Sequence, residues 1–253
     1  MTPERLYRYV GLSGRRWQHF LDLVLKRELF YPSPELFNDP FDCVVDIAED
    51  LPAPVLRAFA RSHFPLENPE LQGPALDQSA ELWTRDMKTP EGLRRIIAGA
   101  QESVFKSGVV CLSAKPDVPL MWAHYAESHT GIALEFTRSN SNFLRFAKAV
   151  QYVDKYERAP LDGDIVALAE RALFTKASFW AYEEEWRVFN LMFCNACRPL
   201  EPGALTGIVL GLRTDPRVEQ EIRKVLRDAP DSIRLYRAEK LDGHYSLIVR
   251  DVV

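Results

Sequence analysis

The run Trp180-Ala181-Tyr182-Glu183-Glu184-Glu185-Trp186-Arg187 leads directly into Val188-Phe189-Asn190-Leu191-Met192-Phe193. At the strand period of two, Glu183, Glu185 and Arg187 share one face, which then continues as Phe189, Leu191 and Phe193. Like carboxylates at adjacent same-face positions repel, so an ion-pair partner, a metal or a reacting ligand must hold them. Two kinds of chemistry follow: a structural salt-bridge cluster closed by Arg187, or a carboxylate site at the rim of a cleft. If repulsion dominates, neutralising Glu185 raises stability.

Other residue types suited to chemistry lie elsewhere in the chain. In Leu120-Met121-Trp122-Ala123-His124-Tyr125, helical spacing puts Met121, Trp122 and Tyr125 on one face, with His124 near its edge. That face suits core packing or an aromatic ligand platform, and His124 is either a satisfied core histidine or an acid-base group. Tyr7-Arg8-Tyr9 sets an arginine on the first strand, opposite in facing to both tyrosines, and such an arginine needs an anion or carboxylate across from it. Asn38 and Asp39, between Phe37 and Phe41, form a turn that two aromatic anchors pin to the body, either as local Asx bonding or as a binding loop. Lys176 falls on an apolar helical stripe and needs either a carboxylate partner from the following strand or a route to water for its head. Cys194-Asn195-Ala196-Cys197 has the spacing of half a zinc site, but no second Cys or His pair is near in sequence, so no metal is expected there.

The elements that must position these groups read as follows. Strands are predicted at Leu6 to Val10, Leu29 to Pro32, Val109 to Ser113, Ile132 to Phe136, Ala149 to Val153, Ile208 to Leu212, Ser232 to Arg237 and Tyr245 to Val249, besides the Glu-rich strand. Trp17, Phe20, Leu21, Val24 and Leu25 recur at helical spacing, and further helices are predicted at Pro52 to Phe64, Leu76 to Phe105, Leu120 to Ser128, Asp164 to Phe179 and Pro216 to Arg227. The interspersed pattern predicts an α+β fold, a single domain over 1–253 with a mixed or mostly antiparallel sheet, flanking helices and a helical insertion at 52–106.

The chain has 253 residues, is 47% hydrophobic and 27% charged, and carries a net charge of −4, the balance of an ordinary globular protein with no expected affinity for duplex DNA. No window has the length and apolarity of a transmembrane span and no signal pattern opens the chain, so a cytoplasmic location and no membrane partner are expected. Four cysteines are too few for a disulfide framework at this length. The absence of Gly-x-Gly-x-x-Gly and of a phosphate loop disfavours a Rossmann dehydrogenase or an NTPase.

Tyr7 and Tyr9, Phe37 to Asp42, Cys111 to Ser113, Met121 to Tyr125 with His129 to Gly131, and Trp180 to Arg187 together resemble a widespread bacterial family, domain of unknown function 2971. These motifs run in order over most of the chain, and they imply no activity. A more distant resemblance is to ADP-ribosyltransferases of the Arg-Ser-Glu type, which carry an arginine on an early strand, a serine on a middle strand and Glu-x-Glu at a later strand start. That resemblance implies NAD as substrate, with Glu185 as the catalytic carboxylate, Glu183 orienting the acceptor, Arg8 clamping the pyrophosphate, Ser113 at the middle strand, and Trp122 or Tyr125 stacking a ring. Cys111-Leu112-Ser113 stands where that superfamily has Ser-Thr-Ser, so Tyr125 or His124 is the alternative to Ser113. The acceptor stays open among protein, nucleic acid, small molecule and water. Two other functions remain: a metal-dependent phosphodiesterase or nuclease using Asp39, Asp42, Glu183, Glu185 and His124, and a non-enzymatic binding or effector module.

Overall fold

The computed structural model describes residues 2–47, 51–156, 158, 165–191 and 193–252. The chain groups into two compact units, the first made of Met1–Pro32, Gly108–Val150 and Phe179–Val253, the second of Ser33–Ser107 and Gln151–Ser178.

The first unit is built on strands β1 (Arg5–Val10), β3 (Gly108–Ser113), β4 (Ile132–Thr137), β5 (Lys148–Ala149), β8 (Glu185–Asn190), β10 (Leu205–Leu210), β11 (Arg234–Lys240) and β12 (Leu247–Asp251). They form one eight-stranded sheet in the order β12-β11-β10-β4-β1-β3-β8-β5. Every neighbouring pair is antiparallel except β10 with β11. With flanking helices this is the α+β class that the interspersed pattern predicts. A separate antiparallel pair joins β2 (Glu28–Tyr31) to β9 (Ala196–Pro199).

Strand alternation divides the core between the two sheet faces. On one face Leu6, Leu112, Leu134 and Ile208 pack with Phe20 and Val24 of α1 (Arg15–Lys26) and with Ile222 of α7 (Pro216–Arg227). On the other, Tyr7, Tyr9, Ala133 and Val209 pack with Met121 and Trp122 of α5 (Pro119–Tyr125). This second face carries the carboxylates described below.

Helix α5 is shorter than the predicted Leu120 to Ser128, because Glu127, Ser128 and His129 all take positive φ values of 47°, 54° and 71°. The Gly131 N–H donates to the Ala126 carbonyl at 2.8 Å and closes that turn. A Cβ at Gly131 would stand 2.3 Å from the Val10 carbonyl oxygen, a backbone atom that cannot swing aside. Gly131→Ala is therefore expected to cost about 1–3 kcal/mol, the range for overpacking, and denaturant unfolding measures it.

The second unit holds helices α2 (Ala53–Glu67), α3 (Gly73–Met87), α4 (Pro90–Phe105) and α6 (Ile165–Phe174), with the parallel strand pair β6 (Gln151–Val153) and β7 (Thr175–Ala177). The residues of the expected insertion, 52–106, all lie in it. The single helix predicted over Leu76 to Phe105 is two: the Thr89 hydroxyl accepts the Gly92 N–H at 3.0 Å and Pro90 opens α4, a combination that starts a helix. The strand predicted over Ala149 to Val153 breaks at Val150 into β5 and β6.

The helix predicted from Asp164 to Phe179 also ends early, at Phe174; Asp164 itself lies outside the described residues. Lys176 consequently sits on β7 opposite Tyr152 and not on a helical stripe. It is 7% exposed, with the Asp42 carboxylate 3.5 Å from its ammonium.

Candidate functional site

Strand β8 begins at Glu185. Its register against β3 sets Glu185 opposite Ser113 and Arg187 opposite Cys111, and β3 in turn sets Ser113 opposite Tyr7. Directly paired residues point to the same side, so Glu185 and Arg187 share the Tyr7 and Tyr9 face. Arg187 Nε donates to Glu185 Oε1 at 2.7 Å and Nη2 donates to Oε2 at 2.9 Å. Both oxygens thus meet a planar fork, the strongest ion-pair geometry available to a carboxylate. The Arg187 side chain is 0% exposed and that of Glu185 4%. The predicted continuation of this face does not extend past Phe189: the strand stops at Asn190, and Leu191 and Phe193 are each 40% exposed.

Glu183 is not part of the strand. It ends a 3-10 turn over Ser178–Glu183, and Glu184 after it takes a φ of 42°, a conformation that costs energy for a residue with a side chain. Contacts from the exit of β3 hold this junction. Ser113 Oγ donates to the Glu183 carbonyl at 2.6 Å and accepts the Lys115 N–H at 3.1 Å. The Ala114 N–H donates to the Glu184 carbonyl at 3.2 Å, and the Lys115 ammonium lies 2.5 Å from the Glu184 carboxylate. Tyr9, whose phenol burial pushes well above its ordinary pKa, stays protonated and donates to the Lys115 carbonyl at 2.7 Å. Tyr125 completes the arrangement by donating its hydroxyl to Glu183 Oε1 at 2.6 Å. The strained backbone therefore aims two buried carboxylates, Glu183 at 1% and Glu185 at 4% exposure, from one strand start.

Three expected binding residues take other roles. Ser113 is buried with its hydroxyl engaged as donor and acceptor in the junction, which makes it a fastening of the Glu183 backbone. Trp122 is 0% exposed, packs edge-on against Tyr9 at 5.0 Å between ring centroids, and donates Nε1 to the Pro116 carbonyl at 2.8 Å, so it is a core residue and not a stacking platform. Arg8 belongs to the opposite face: it alternates with Tyr7 and Tyr9 and pairs with Leu134, a residue of the α1 and α7 core. A clamp from Arg8 to a ligand at Glu185 is excluded by that register.

The aromatic groups at the site are Tyr125, His124 and Trp180. His124 is exposed, with its ring edge-on to Trp180 at 5.7 Å and 6.1 Å from Tyr125. Phe179, next in this series at 5.8 Å from Trp180, is 68% exposed. Aromatic surface thus extends outward from the Tyr125 ring, whose hydroxyl touches Glu183.

The Asn38 and Asp39 loop lies in the second unit. Asp39 Oδ1 accepts the Phe41 N–H at 2.9 Å in an Asx turn, whereas Asn38 is exposed and makes no hydrogen bond among the described residues. Phe41 is 66% exposed and does not anchor the loop as expected. Asp39→Ala should cost about 1 kcal/mol and Asn38→Ala less than about 0.5, which thermal unfolding of the two variants compares.

The sequence reading overlooked Glu135 on β4. It is 4% exposed and accepts from the Tyr7 hydroxyl at 3.1 Å and from Thr206 Oγ1 at 2.9 Å, with Arg5 3.4 Å away. Burial and the adjacent carboxylate push the Tyr7 phenol up to about 12, so it remains a donor. The signal was available, since Glu135 is the one charge in the strand Ile132-Ala-Leu-Glu-Phe-Thr.

Among the described residues no group of three or more His, Cys, Asp or Glu side chains converges as a metal-ligand set, and no helix is long and apolar enough to cross a membrane. No curated protein and no solved structure matches the chain significantly. A family model does match, and its span runs from α5 through the Glu183 junction to the Arg187 fork. Residues 121–188 match the family described as protein of unknown function DUF2971, the same family that the sequence motifs resemble.

Proposed function

We propose that the first unit cleaves the nicotinamide–ribose bond of NAD and passes the ADP-ribosyl group to a nucleophile, with Glu185 and Glu183 as the reacting carboxylates. The observation that carries this is the fixed orientation of both: Glu185 by the Arg187 fork, Glu183 by the Tyr125 hydroxyl, at one strand start beside exposed aromatic surface. Preorganised charge of this kind stabilises a transition state without reorganising when the reaction occurs.

As the C1′–N bond breaks, its electron pair leaves with nicotinamide and positive charge develops on the ribose, as in glycoside hydrolysis. Glu185 faces that charge. Glu183 accepts a hydrogen bond from the incoming nucleophile, whose lone pair forms the new bond to C1′ and whose proton passes to solvent. Trp180 and His124 offer ring surface for the nicotinamide or adenine. Arg8, Trp122 and Ser113 have no direct part in this chemistry.

One observation favours a second function. A bidentate pair with both partners buried has the geometry of a structural ion pair, and as such it serves a non-catalytic binding module equally well. Ligand-dependent stabilisation separates the two. A molecule that binds only the native protein stabilises it by about 2.7 kcal/mol at a hundredfold excess over Kd, a rise of roughly 5–10 °C for a chain of this size. A melting shift with NAD is the expected outcome. A shift with Mg²⁺ or Mn²⁺ alone favours the phosphodiesterase, and no shift with either favours the binding module.

A further inference from the structure

Arg8 points into the α1 and β2 side of the sheet, the face away from Glu185. Its neighbour across the strand pair is Leu134, and apolar residues Leu6 and Val10 flank it along β1. Its Nη1 donates to the Phe30 carbonyl at 2.9 Å, and that is the sole hydrogen bond of its side chain among the described residues; it makes no ion pair with any of them. On α1, Asp22 binds Lys26 at 2.8 Å and Gln18 at 3.0 Å. Burial lowers the Arg8 pKa, and no carboxylate contributes an opposing pull.

A guanidinium carries five N–H donors and a charge that is costly to remove from water without a counter-charge. Arg8 as a whole residue is not fully buried. Its surroundings supply the wall of a site. The His19 ring stacks on Phe30 at 4.1 Å between centroids and 16° between planes, on the segment whose carbonyl Arg8 binds. Burial, and after it the positive charge of Arg8, lowers the His19 pKa. Cys197 pairs with Phe30 across the β2–β9 ladder.

We infer that Arg8, with His19 beside it, forms an anion site on the α1 and β2 face of the sheet, separate from the Glu183 and Glu185 face, that takes the oxyanion group of a small metabolite, a carboxylate or a phosphoryl group. The planar fork of Arg8 matches two oxygens of either. The site stands whether or not the chain cleaves NAD.

The test is thermal unfolding of the full chain in sodium phosphate, sodium acetate and sodium chloride at matched ionic strength. Phosphate or acetate at tens of millimolar should raise the melting temperature by a few degrees over chloride, and the anion with the larger shift identifies the source chemistry. Arg8→Met keeps the stem and removes the fork, so its shift should vanish, while Glu185→Gln on the far face should keep the full shift. If Arg8→Met does not fold, Arg8→Lys assigns the Arg8 Nε–H resonance by difference, and phosphate or acetate should move that resonance in the unmodified protein. Equal melting temperatures in all three salts, a shift preserved in Arg8→Met, or an unmoved Nε–H resonance overturns the proposal.

Discussion

Arg187→Ala is expected to lower stability by about 3–5 kcal/mol, the cost of removing one partner of a buried ion pair and leaving the other charged. Arg187 is fully buried and donates two hydrogen bonds to Glu185, which is itself 4% exposed, so little water can replace the lost fork at that carboxylate. On the usual scaling for a chain of this length, the melting temperature should fall by roughly 6–20 °C. Arg187→Lys keeps the charge but not the fork and should recover part of the loss. The double change Glu185→Leu with Arg187→Met removes both charges and should recover most of it. Denaturant unfolding of the single and double variants gives the coupling energy directly. An Arg187→Ala protein within about 0.5 kcal/mol of the parent would show that the fork carries no such weight.

The same geometry reverses one expectation about Glu185. Considered as one of two repelling carboxylates, its neutralisation raises stability. In the structure both its oxygens accept from Arg187, so Glu185→Gln removes a negative charge that a buried guanidinium holds through two hydrogen bonds and should lower stability.

The residues most legible in the sequence were those whose periodicity and burial agree. Leu6 to Val10, Val109 to Ser113, Ile132 to Phe136 and Pro216 to Arg227 appear within a residue or two of their predicted bounds, because strand alternation or a helical stripe is unbroken there. Boundaries failed where a local signal was outweighed. Thr89-Pro90 is a helix start inside an apolar pattern that otherwise reads as one helix. Lys176 completes a helical stripe, but pairing of Thr175–Ala177 with Gln151–Val153 makes that segment a strand, a long-range contact that no local pattern encodes.

The site shows the same division. Alternation already told that Arg8 faces away from Tyr7 and Tyr9. Which face Glu185 shares depends on the registers of β1 with β3 and of β3 with β8, and those are set by tertiary pairing. The Arg187 partnership was readable from its two-residue spacing. The fastening of Glu183 by Ser113 and Tyr125 was not, since these residues lie 70 and 58 positions away in sequence.

The catalytic claim rests most directly on Glu185→Gln assayed for nicotinamide release from NAD, with and without cell lysate as acceptor. Gln keeps the shape and one hydrogen-bond acceptor but removes the negative charge that faces the developing cation. Turnover should fall about 10²–10³-fold, the usual effect of losing one preorganised electrostatic group, while the NAD-dependent rise in melting temperature persists. Because stability also falls in this variant, each rate is measured well below its own melting temperature. Release of nicotinamide by the unmodified protein, reduced by that factor in Glu185→Gln, is the predicted result. No release and no NAD-dependent stabilisation in the unmodified protein contradicts it.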